Sequence, residues 1–158
     1  MEKEKTCCFI INDFCAIDYL NKSSAAKEKI SEKLKEEICR LKEIGVTSFI
    51  TGCEAGIDLD FAQEVLKDKN LSLFCVCAYE EQSSSYGEKE REKYYNVINQ
   101  CNDCFLVSKQ RDFGCKNKRD KFMIDRSDYI LCYWDKISPY TGELLQYAAA
   151  NDKKIAYI

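Results

Sequence analysis

Short apolar runs alternate along this chain with longer stretches in which apolar residues recur every three or four positions. That alternation predicts βαβ units feeding a mostly parallel sheet. The first strand is expected at 7–11. A helix capped by Ser24 should run to about Glu43, with Ile30, Leu34, Ile38 and Leu41 along one face. Gly45, tolerant of the left-handed conformation, stops it. A second strand follows at 46–51 and a helix at 59–67. Residues 71–78 are apolar at nearly every position, as expected of a strand covered on both faces. A polar loop at 80–86 leads to a charged helix at 88–99 whose inner stripe is Tyr94, Val97 and Ile98. A strand at 104–108, a loop at 109–118 and a short helix at 119–126 come next. A strand at 129–134, a loop at 135–141, a helix at 142–151 and a sixth strand at 155–158 close the pattern. The expected fold is a Rossmann-like three-layer αβα domain with a mostly parallel sheet of about six strands.

The chain has 158 residues and one proline, with no repeat or low-complexity tract, so residues 1–158 are read as one domain. A 46% hydrophobic and 32% charged composition is that of a soluble globular protein, and the net charge of −3 gives no global attraction to nucleic acid. Residues 1–5 carry charges of both signs rather than an export signal, and no apolar run is long enough to span a membrane. Eleven cysteines, an odd number, then point to reduced thiols in a cytoplasmic protein, most of them serving as small core residues. Histidine is absent, which excludes Ser-His-Asp and Cys-His machinery and any histidine-bearing zinc site. Cys101 and Cys104 have redox spacing but no companion motif, so no metal site is expected.

In an open parallel sheet, ligands bind beyond the carboxyl ends of the strands. The residues at those ends are Asn12 and Asp13; Thr51, Gly52 and Gly56; Glu80 and Gln82; Ser108; and Asp135 and Thr141. Gly52-x-x-x-Gly56-x-Asp58 is the most informative group. A glycine directly after a strand lets backbone N–H groups approach a phosphate, and the next helix offers its positive end. The same spacing equally fits a plain strand-to-helix turn capped by Asp58. Residues 109–126 hold seven Lys or Arg against three Asp, a patch able to meet phosphates or to remain a solvated surface. Tyr140, beside the single proline, is placed to stack on a base.

The order of these motifs resembles the YpsA-like branch of the SLOG superfamily. Phe49-Ile50-Thr51-Gly52-Cys53-Glu54-Ala55-Gly56-Ile57-Asp58 is similar to its "FISG-x-x-x-GVD" element, and Glu80-Glu81-Gln82 to its "E-x-Q". Residues 119–128 resemble "RN-x-x-MVD-x-SD", while Tyr133-Trp134-Asp135 and Gln146-Tyr147-Ala148 resemble the closing "WDG" and "YA". The resemblance implies a pocket for nucleotide-derived ligands built from Thr51, Gly52, Gly56, Asp58, Glu80, Gln82, Arg119, Asp125, Asp135 and Thr141. Two loops depart from the pattern. Ile10-Ile11-Asn12-Asp13 stands where the family has "TGHR", and Pro139-Tyr140-Thr141 where it has "GGT". The catalytic glutamate of the related phosphoribohydrolases corresponds to Tyr147 here.

Three readings follow. The leading one is a binding module for a nucleotide or ADP-ribose-like ligand, without strong catalysis. The second is a nucleotide hydrolase acting on an N-glycosidic or phosphate bond, with Glu80 or Asp125 as acid–base groups. The third is a nucleic-acid or protein-partner module using residues 109–126, disfavoured by the overall acidity. Self-association is compatible with all three.

Overall fold

The apolar runs form six strands, each parallel to its neighbours, in the spatial order β4-β3-β2-β1-β5-β6. They are β1 (Lys5–Ile11), β2 (Val46–Thr51), β3 (Ser72–Tyr79), β4 (Asp103–Ser108), β5 (Tyr129–Tyr133) and β6 (Lys154–Tyr157). The helices are α1 (Asp13–Leu20), α2 (Ser24–Glu43), α3 (Ile57–Leu66), α4 (Glu88–Gln100), α5 (Cys115–Asp125) and α6 (Pro139–Ala150), with a single 3-10 turn at Gln82–Ser85. This computed structural model describes residues 4–158; residues 1–3, part of the stretch 1–5 read above, lie outside it.

Strand alternation divides the interior in two. Odd-numbered residues of β1 (Cys7, Phe9, Ile11) join Phe49, Leu73, Cys75 and Cys77 beneath α1, α2, α3 and α4. Even-numbered Cys8 and Ile10 join Ile50, Val76, Ile130 and Cys132 beneath α5 and α6. The result is the expected three-layer α/β domain, with an entirely parallel sheet. Chain connections leave β1 toward β2 and leave β5 toward β6, so the strand order reverses between β1 and β5. A crevice at such a reversal, at the carboxyl ends of the strands, is where doubly wound sheets hold ligands.

Three elements differ from the pattern reading. Residues 13–20 form α1, which the pattern leaves unassigned because Phe14 and Ile17 face water and break the apolar stripe. Asn12 caps it by accepting a hydrogen bond from the Cys15 amide at 2.8 Å. Helix α5 begins at Cys115, four residues before the expected 119, because Gly114 takes the left-handed conformation (φ 83°) and turns the chain there. Helix α6 begins at Pro139 rather than 142, since proline is pre-set for the first helical position.

All eleven cysteines are free thiols and eight are buried; Cys39 and Cys104 are exposed and Cys101 is half-buried. Among the described residues, no helix is long and apolar enough to cross a membrane.

The larger core half is organised around Phe61 of α3. Its ring stacks on Phe9 at 4.8 Å and meets Phe49 edge-on at 5.9 Å, all three buried. Phe61→Ala is expected to lower the unfolding free energy by about 3–5 kcal/mol, and Phe61→Leu by clearly less. Urea titration of the three proteins measures this.

Candidate functional site

The loop between β2 and α3 turns on two unusual backbone positions. Cys53 is left-handed (φ 58°), and Gly56 has φ 99° with no room for a side chain. A Cβ at Gly56 would lie 3.2 Å from the Tyr19 ring and 3.3 Å from the Ala16 carbonyl, so glycine is required by conformation and by the close approach of α1. Gln82 braces the loop from behind. Its amide oxygen accepts from the Ala78 N–H at 2.7 Å, and its amide nitrogen donates to the carbonyls of Gly52 (2.8 Å) and Cys53 (3.2 Å). Tyr86 donates to the Cys53 carbonyl as well, at 2.8 Å.

Within this turn the protein supplies its own acceptors. The Thr51 hydroxyl donates to Asp58 Oδ1 at 2.6 Å and accepts from the Cys53 N–H at 3.1 Å. Asp58 Oδ2 takes the Glu54 N–H at 3.2 Å, and Glu90 of α4 takes the Gly56 N–H at 3.0 Å. Backbone donors that a phosphate would use are therefore bound to carboxylates of the chain itself.

Arg119 reaches this turn from α5, across the sheet end. Only 2% of it is exposed. Nη1 donates to Glu54 Oε1 at 2.6 Å and Nε to Asp120 Oδ1 at 3.0 Å. The guanidinium lies flat against Gly52, where a Cβ would come within 3.1 Å of Nε and 3.2 Å of Cζ. Asp120 in turn accepts from the Tyr140 hydroxyl at 2.6 Å. Lys116 sits 3.4 Å from Glu54 and 2.7 Å from Asp13. Burial alone would favour loss of the Arg119 proton, but Asp120 and Glu54 more than offset it and hold the guanidinium charged.

Carboxylates outnumber cations in this cluster, and two of them respond. Burial raises Asp58 to about 7, against the opposing pull of the Thr51 hydroxyl and Arg119. Burial also raises Asp120, against Arg119 and the Tyr140 hydroxyl. Lys116 is held above its ordinary range by Glu54 and Asp13, which outweigh its partial burial.

Beside the cluster, at the β1/β5 reversal, lies a cleft of about 340 Å³. This volume is near the lower end for small-molecule sites. Ile11 from β1, Asn12 at the cap of α1, Phe14 from α1, and Pro139 and Tyr140 from α6 line it, with Lys116, Arg119 and Asp120 of α5 on the remaining side. Asn12 joins the two halves of its floor by donating to the Thr141 hydroxyl at 2.9 Å.

The structure gathers Thr51, Gly52, Gly56, Asp58, Gln82 and Arg119 into one hydrogen-bonded unit, with Thr141 adjoining it through Asn12. Asp135 shapes the neighbouring loop: its carboxylate accepts from the amides of Ile137 and Ser138, both at 2.9 Å, and from the Ser138 hydroxyl. Those amides hold it below the usual carboxylate range. Glu80 is exposed and lines a separate cleft with Tyr79, Ser84 and Arg111. Asp125 ends α5 and bonds to Tyr147. A crossover helix in a parallel sheet ends beside the amino ends of the strands, so Asp125 sits at the far end from Glu80 and the turn. The structure thus does not bring Glu80 and Asp125 together. Of the seven Lys and Arg in residues 109–126, Arg119 is internal, while Arg126 and Lys121 lie over the rings of Phe122 and Tyr147. Glu54, Asp120 and Phe14 were not among the expected site residues, whereas Asn12 was placed at a strand end facing the site. Glu54 falls in the variable part of its motif, and Asp120 within the motif that marks Arg119. Among the described residues, no group of three or more potential ligands is placed to hold a metal ion.

Replacing Arg119 by Met should lower stability at neutral pH by about 3–5 kcal/mol, because it strands buried carboxylates without a partner. Urea unfolding tests this. Asp58 has a folded-state value above its unfolded one, so its contribution favours folding below pH 3.8 and is lost as pH rises through about 7. Asp58→Asn removes that dependence, and its stability relative to the parent protein should improve across the same interval. An unchanged difference across the series would contradict the assignment.

Compared with known proteins, residues 16–158 match the model of the YspA SLOG family. The chain is 25% identical over 116 residues to the UPF0398 protein BH1768 of Halalkalibacterium halodurans, a stretch covering 70% of this chain and 61% of that relative. The chain therefore spans less than two thirds of that relative's length. With the family model spanning the β2–α3 turn, α5 and the α6 side of the cleft, this chain belongs to the YspA SLOG family.

Proposed function

We propose that this protein is a binding module for a small nucleotide-derived ligand, held in the β1/β5 cleft and not turned over at an appreciable rate. The observation that carries the reading is the position of that cleft: at the strand-order reversal, with a buried, charge-compensated Arg119 at its base. Phe14, Pro139 and Tyr140 offer apolar and aromatic surface for a base, and Asn12 and Ser138 offer polar groups for orientation. Lys116, partly exposed, is the cation in reach of a single phosphate or a ribose-linked anion.

Thr51, Gly52, Gly56 and Asp58 act in this reading as the frame that sets Arg119, since their polar groups are matched within the chain. The absence of strong catalysis is inferred from the same commitments. Glu54 and Asp120 are tied to Arg119, and Asp58 is enclosed, so no carboxylate of the cluster is free to shuttle a proton to a bound ligand.

Titration calorimetry against nucleosides, nucleoside mono- and diphosphates, ADP-ribose, NAD and inorganic phosphate tests the proposal. At least one nucleotide-derived compound should bind, and Tyr140→Ala and Lys116→Glu should each weaken it by about tenfold or more, the equivalent of about 1.4 kcal/mol. No heat of binding at millimolar ligand, or binding indifferent to both substitutions, would overturn it.

A further inference from the structure

We propose that the outer edge of β4 is the seam of a symmetric homodimer, in which the sheets of two copies join edge to edge. Strand β4 pairs with β3 alone, through the run Phe74–Asp103, Cys75–Cys104, Val76–Phe105 and Cys77–Leu106. Its other edge meets no strand among the described residues. Along it, Asp103, Cys104, Phe105 and Leu106 are all exposed, with Phe105 at 42% and Leu106 at 48%.

An edge strand meant to stay in water is usually blunted by a lysine, a proline or a bulge. The run Cys104-Phe105-Leu106-Val107 has none of these, and all the charge is at its two ends: Asp103 before it and Lys109 just after the strand. An uncharged apolar edge of this kind is a template for another strand.

Symmetry then fixes the partner's register. Leu73 turns its backbone groups toward Asn102 and Ala78 turns its N–H toward Gln82 on the β2 side, so odd-numbered residues of β3 face β4. With Phe74 opposite Asp103, residues 103, 105 and 107 turn their backbone groups toward β3 and residues 104 and 106 turn theirs outward, where the Cys104 N–H meets the Asp103 carboxylate at 2.8 Å. When two copies of one strand pair antiparallel, facing residues must both turn toward the seam or both away from it. The two-fold axis must therefore pass through a residue, not between two. Centred on Leu106, the pairing sets Phe105 opposite Val107 and Asp103 opposite Lys109, at both ends of the seam. Centred on Phe105, it would set Asp103 against Val107 and Lys109 against Cys101. Charge complementarity selects Leu106. Phe105 already rests on Phe122 of α5 at 6.0 Å, and the incoming Val107 would extend that cluster. A two-fold seam also uses up the edge in both copies, so association stops at two.

Light scattering or sedimentation equilibrium, in reducing buffer because Cys104 is exposed, should give twice the 18.3 kDa mass of one chain at micromolar concentration. Leu106→Asp should give the single-chain mass with an unchanged far-ultraviolet circular dichroism spectrum, because its side chain is half exposed. Asp103→Lys and Lys109→Asp should each weaken the dimer by about fivefold or more, and the two together should restore it. A single-chain mass at every concentration, a dimer indifferent to Leu106→Asp, or a double reversal that restores nothing would overturn the proposal.

Discussion

Everything at the carboxyl end of this sheet is arranged around one charged group taken out of water. The Arg119 guanidinium comes from α5, beneath one face, and lies against a turn that leads into α3 on the other. Burying it is tolerable only because Glu54 and Asp120 complete its hydrogen bonding. Those two carboxylates come from different elements, so satisfying the charge also locks α5 to the β2–α3 turn. Gly52 is the price of that contact, since any side chain there would push the guanidinium away.

The electrostatic consequences spread outward from the same point. Three carboxylates converge on the cluster, and the least solvated of them, Asp58, is pushed to a range where it holds a proton more readily. Lys116 balances Glu54 from the solvent side and Asp13 across the cleft mouth. Tyr140 hydrogen-bonds to Asp120, placing an aromatic wall of the cleft in contact with the charged base. Cleft and cluster are thus parts of one hydrogen-bonded assembly, although the cleft alone opens to a ligand.

Most of the fold was legible because it rests on periodicity. Runs such as Phe49-Ile50-Thr51 and Leu73-Phe74-Cys75 have no alternative placement, and Leu34, Ile38 and Leu41 mark their helix plainly. Helix α1 was not legible: it exposes Phe14 and Ile17 and is held by the Asn12 cap and by Tyr19, whose hydroxyl reaches Asp60 of α3. The turn at 52–58 was visible as glycine spacing, but what fills it was not. That Glu90, more than thirty positions away, accepts the Gly56 N–H is a long-range fact with no local trace. Likewise, nothing near Asp125 in sequence tells that α5 points it to the opposite end of the sheet from Arg119, six residues earlier.

Because the turn closes its hydrogen bonds internally, the molecule separates what it needs to fold from what it presents at the cleft. The cap on α1 is made by Asn12, and the cleft floor by Asn12 with Thr141; Phe14 projects from that scaffold, exposed at the cleft rim. Rim residues of this kind can be exchanged with little disturbance to the buried charge beneath them. Under the proposed binding role, ligand preference would be set by a replaceable border on a fixed keystone.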